Sequence, residues 1–91
     1  MYYVYILQSE QDSNLYIGCT SNLEERILLH NTGKVLSTRS RTPFQLIYYE
    51  AFIDKKDAFG REKWLKTGWG HNQIAKILRN YLDNKKNTQK I

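Results

Sequence analysis

Five side chains, spread widely along the sequence, are of types that could act on a phosphate: Tyr5, Tyr16, Arg26, His30 and Glu62. Arg26 offers a planar fork of donors that suits phosphate and never loses its charge. Taken alone, a surface pair with a nearby acid explains it better than function does. His30 can donate to a leaving oxygen or relay a proton near neutral pH, although a histidine at a helix end is often structural. Glu62 falls within about 60° of arc of Ala58 and Leu65 on a helix, in the middle of an apolar stripe. A carboxylate there is costly unless it is paired or holds a metal. Two readings follow: an i, i+4 pair with Lys66, or a single ligand for a hard divalent cation such as Mg²⁺. Tyr5 and Tyr16 could orient or deprotonate a water, but a base role needs a cation nearby to lower a phenol that ordinarily titrates near 10. Cys19, next to a predicted helix start with His30 in the same segment, leaves a Cys-His hydrolase as a weaker idea.

These groups must be positioned by short elements. Tyr2–Leu7 and Leu15–Ile17 are rich in β-formers and are joined by the polar Gln8–Asn14 loop. Gly18 ends the second run, either through positive φ or by letting another group approach closely. Ser21 and Glu24 match a capping box, so a helix is expected from about Asn22 to a stop at Gly33. Leu23 and Ile27 form its inward stripe, with Arg26 and His30 at the margin between core and solvent. Lys34–Thr42 reads as a basic loop, and Pro43 introduces a strong strand, FQLIYYEAF. Asp54 is expected to cap a second helix ending at Gly68. Ile74, Ile77, Leu78, Tyr81 and Leu82 carry the period of a third. The expected fold is α+β, a small three-stranded antiparallel sheet flanked by helices in the order β-β-α-β-α-α. Residues 1–84 form one domain, and 85–91 a basic, frayed tail.

The 91 residues are 41% hydrophobic and 25% charged, an ordinary soluble composition, with aromatics high at 13%. Fourteen Lys and Arg against nine Asp and Glu give a net charge of +5, which favours a polyanionic partner. A lone cysteine excludes an internal disulfide and a Cys-rich zinc site, and fits a reducing, cytoplasmic setting. The start, MYYVYILQSE, lacks the basic region of a signal peptide, and no apolar run is long enough for a membrane span.

The spaced motifs together resemble the GIY-YIG nuclease superfamily, and within it the small single-domain bacterial proteins (UPF0213-like). The first triplet corresponds to Tyr3-Val4-Tyr5, with Tyr3 in place of glycine, and the second is intact as Tyr16-Ile17-Gly18. Thr20–Gly33 matches the family's helix. Tyr49-Glu50-Ala51-Phe52 and the run from Ala58 through Arg61-Glu62-Lys63 to Gly70 match its third strand and metal helix. Cys19 stands where some repair members have lysine. The resemblance implies Tyr5, Tyr16, Arg26 and His30 at a catalytic centre, Glu62 as ligand for Mg²⁺ or Mn²⁺, and hydrolysis of nucleic acid, DNA before RNA. Lys34, Arg39 and Arg41 would add backbone contacts, with little sequence specificity. The rival expectations are a nucleic-acid-binding module with little cleavage, and a nuclease-like subunit acting with a protein partner or by self-association.

Overall fold

The computed structural model describes residues 1–90, with side chains described as far as Asn84. Its centre is β1 (Tyr2–Ser9), flanked antiparallel by β2 (Leu15–Thr20) on one side and β3 (Phe44–Phe52) on the other. β1 is apolar on both faces because both are covered. Val4 and Ile6 pack with Ile17, Ala58, Leu65 and Ile74 in one core, while Tyr5 and Leu7 pack with Phe44 in a second. The first core lies under α2 (Lys55–Leu65) and α3 (Gly68–Ile77); the second lies under α1 (Leu23–Asn31). Between Ile6 and Leu7 the β1–β3 register slips, so that Leu7 faces Leu46 where even pairing would give Ile47. This bulge lets the consecutive residues Ile47 and Tyr48 both pack on the first core.

The sequence-derived order is present, with three differences at helix boundaries. First, the cap of α1 is one residue later than the motif suggests. The side chain of Asn22 accepts from the Glu25 N–H at 3.1 Å and donates to the Glu25 carboxylate at 3.2 Å. Asn22 is therefore the cap that the motif assigned to Ser21, but the box is not closed: its backbone N–H donates to Thr20 Oγ1 at 3.1 Å and not to the Glu25 carboxylate. Gly33 does follow the helix, at φ 75°. Second, Asp54 caps α2 as expected, but α2 ends at Leu65, and Thr67 caps a new helix within which Gly68 is the first residue. Third, the expected third helix breaks at Leu78 into α3 and α4 (Arg79–Lys90). Tyr81 of α4 donates to the buried side chain of Gln8, which in turn bonds the carbonyl of Ser13 in the hairpin turn. The basic tail falls on the last part of α4, whose side chains lie outside the described residues.

Gly18 does not end β2. It lies inside the strand opposite Tyr5, and any Cβ there would overlap the Tyr5 hydroxyl. The α2–α3 corner depends on Gly70 in a similar way, because a Cβ would run into the backbone of Trp64 and Leu65. Backbone cannot swing aside as a side chain can. Gly70→Ala is therefore expected to cost about 1–3 kcal/mol or more, lowering the midpoint by roughly 4–8 °C per kcal/mol in a domain of this size. Thermal unfolding followed by circular dichroism checks this, and a midpoint equal to that of the parent would contradict the packing.

Candidate active site

The site grows from the buried phenol of Tyr5. Its ring is fully enclosed, so its hydroxyl must find protein partners. The Tyr5 oxygen lies 3.0 Å from His30 Nε2 and accepts a longer bond, 3.4 Å, from Arg26 Nε. The other imidazole nitrogen, Nδ1, lies 2.8 Å from Thr38 Oγ1, which donates onward to the Val35 carbonyl. One proton arrangement satisfies every member. Arg26 donates to Tyr5, Tyr5 donates to Nε2, and neutral His30 donates from Nδ1 to Thr38.

Electrostatics agree with that direction. Burial pushes Tyr5 up to about 12, against the lowering effect of Arg26, so the phenol keeps its proton at neutral pH. Burial, and then the charge of Arg26, hold His30 below its usual range and keep it neutral. Arg26 is raised, first by its bond to Tyr5 and to a smaller extent by Tyr16.

His30 is thus deep in the core and not at its margin, where helical periodicity had put it. It lies in an aromatic cage, with the Tyr16 ring 4.8 Å away and the Tyr5 and Phe44 rings at 5.9 and 6.0 Å. Arg26 does lie at the margin, partly exposed. The described residues give it no carboxylate partner: their three ion pairs are Arg41–Asp12, Arg61–Glu50 and Lys66–Glu62. The expectation of a simple surface pair for Arg26 is not met. Tyr16 is partly exposed on the same side, its ring 6.3 Å from that of Tyr5.

Glu62 comes from the opposite layer. α2 packs on β1 and β2, and the Glu62 charge adds to the raising of Cys19 and, as the smallest contribution, of Tyr5. The Glu62 side chain is only 17% exposed, and the Lys66 ammonium is 3.0 Å away, so the i, i+4 pair also exists. Cys19 packs into the first core, and burial, then Glu62, raises its thiol; it does not pair with His30. Of the loop cations, Lys34 and Arg39 are exposed. Arg41 is tied to Asp12 at 2.9 Å and stacks over Phe44, and so is the least available of the three.

Sequence reasoning missed two supports. Thr38 sits in a polar loop without periodicity, where nothing distinguishes it from its neighbours. Glu50 receives both arms of Arg61, at 2.8 and 3.0 Å, and the Tyr48 hydroxyl at 2.7 Å. Burial would raise the Glu50 carboxyl, but these bonds together hold it below its ordinary value. This clamp fastens β3 to α2 one residue before Glu62.

Comparison with known proteins agrees with the fold. Residues 1–74 match the model of the GIY-YIG catalytic domain. The chain belongs to the GIY-YIG family. A UPF0213 protein of Clostridium perfringens is 48% identical over 67 residues, covering 72% of this chain and 71% of its own. Another, from Staphylococcus haemolyticus, is 45% identical over 78 residues, covering 85% of this chain and 93% of its own. The solution NMR structure of a UPF0213 protein from Bacillus halodurans is similar at 34% identity and a TM-score of 0.53, over 85% of each chain.

Because His30 is held below its ordinary value, the folded state binds fewer protons than the unfolded one. Its contribution is complete above the ordinary histidine value of 6.5 and fades as the pH falls through the lower folded value. Urea unfolding at pH 7.5 and 5.5 should therefore show a larger acid-side loss in the parent than in His30→Gln. Thr38→Val, which strands Nδ1–H, is expected to cost about 1–3 kcal/mol at pH 7.5. Equal acid losses in parent and His30→Gln would refute the buried neutral imidazole.

Proposed function

We propose that this protein is a metal-dependent nuclease that hydrolyses nucleic-acid phosphodiester bonds, DNA first, with little sequence specificity. The observation that carries this is Arg26. It is held by a buried phenol, stands beside a second phenol, and is paired with no carboxylate among the described residues. A guanidinium fixed in that way suits a phosphate, whose charge it neutralises as the transition state forms. Lys34 and Arg39 add exposed positive charge that contacts backbone without reading bases. The single free cysteine suits the cytoplasm.

The two phenols divide their work. Tyr5 keeps its proton and orients Arg26. Tyr16, the more accessible, positions the attacking water. The site fits a hard cation only in a limited sense, because no cluster of three or more His, Cys, Asp or Glu exists among the described residues. Mg²⁺ or Mn²⁺ needs no more than Glu62 if waters and substrate oxygens complete its shell, and Lys66 must then yield its partner. When bound, such an ion supplies charge neutralisation at the phosphate and assistance to the leaving oxygen.

The test is cleavage of branched, flapped, single- and double-stranded DNA in Mg²⁺ or Mn²⁺. Arg26→Ala and Glu62→Gln are each expected to lose about 10²–10³-fold in rate while keeping the parent's circular dichroism. Tyr16→Phe should lose more rate than Tyr5→Phe, which should instead lose stability. Equal cutting by parent and variants, or none on any substrate, would contradict the reading. Salt-sensitive binding without cleavage would favour a binding module.

A further inference from the structure

A second feature lies just outside the site, on the free edge of the sheet. β2 is an edge strand, and between that edge and the α2–α3 corner runs a cleft of roughly 550 Å³. That volume is within the usual range of small-molecule sites, about 300–1,000 Å³. Its floor is apolar: the half-buried Leu15 of β2, over Ile17 of β2 and Ile74 of α3, which are buried in the first core. Its rim carries Asn14, Lys66 and His71, all exposed, and no acidic residue lines it. As an edge strand, β2 also turns alternate backbone N–H and C=O groups outward from the sheet. An apolar floor with cationic and donor groups on one rim has the polarity of a nucleotide, a flat base attached to a phosphate.

The cleft shares Tyr16 with the candidate active site, and it is also lined by Lys66, the partner of Glu62. We propose that this cleft is a nucleotide subsite, receiving the unit that flanks the scissile phosphate. The base lies on Leu15, above the buried Ile17 and Ile74, and the phosphate meets Lys66 and His71. This assignment rests on the nuclease reading and adds to it a place for the substrate beyond the reacting group. It also gives Lys66 a second partner when Glu62 is claimed by a cation.

The test uses the intact protein, labelled with ¹⁵N, and three probes: thymidine 5′-monophosphate, 2-deoxyribose 5-phosphate and inorganic phosphate. The nucleotide is expected to shift the amides of residues 14–17, 66, 71 and 74, with affinity falling about tenfold when the base is removed. His71→Ala should weaken nucleotide binding by roughly 3- to 10-fold, and Asn14→Trp, which plugs the cleft from its exposed rim, should abolish it. In DNA cleavage His71→Ala should raise KM and leave kcat nearly unchanged. Equal affinity for nucleotide and sugar phosphate, shifts centred on Lys34 and Arg39, or concentration-dependent shifts of β2 without nucleotide would each overturn the subsite. If both variants leave nucleotide affinity and KM unchanged while Arg26→Ala abolishes cutting, the subsite falls and the nuclease reading stands. If nucleotide binds as described and no DNA is cut, the subsite stands and the nuclease reading falls.

Discussion

A phenol shut away from water must spend its hydroxyl on protein groups, and Tyr5 spends it on two at once. Its oxygen takes a bond from Arg26 and faces His30, which is fixed in turn by Thr38. Leaving any buried member unpaired costs about 1–3 kcal/mol, so the set holds together as a unit. That unit joins the central strand, α1 and the loop after it, and it has one partly exposed end. The exposed end is a guanidinium. Gly18 makes the arrangement possible, because only a missing side chain leaves room for the Tyr5 hydroxyl against β2.

The rest of the fold holds that chain in place and packs a second layer, which carries Glu62, on the other face of the sheet. The side chain of Asn31 bonds both backbone groups of Phe44, at 2.7 and 3.1 Å, and so ties the end of α1 to the start of β3. The Glu50–Arg61 clamp secures α2 from the other layer. Gly70 then lets α3 turn closely over the end of α2, setting the far wall of the edge cleft. One layer carries Arg26 beside the phenols, and α2, packed on β1 and β2 from the other layer, carries Glu62 paired with Lys66.

Much of this was legible in the sequence, for identifiable reasons. Strand β3 could be read end to end, because FQLIYYEAF is a long β-forming run after a proline. The element order followed from periodicity and turn residues. Boundaries were harder: Asn22 and Ser21 are both good caps, and only the geometry of the Glu25 reach decides between them. The break at Leu78 left the apolar period intact, so it gave no signal. Among the site residues, Arg26 fell at the margin as its helical phase required. His30 did not, because phase fixes a direction around the helix and says nothing of how far the aromatic cage reaches over it. Thr38 was invisible, since its role depends on a contact across eight residues of irregular chain.

The central claim is that Glu62, from one layer, and Arg26 with the two tyrosines, from the other, serve a single cation-assisted phosphate site. Paramagnetic broadening of backbone amides by Mn²⁺, titrated into the ¹⁵N-labelled protein with a short phosphorothioate oligonucleotide, tests it directly. The account expects broadening centred on Glu62 and extending to Gly18, Tyr16 and Arg26, all lost in Glu62→Gln. Broadening centred on Asp12, Asp54 or Asp57, and unchanged in that variant, would contradict it.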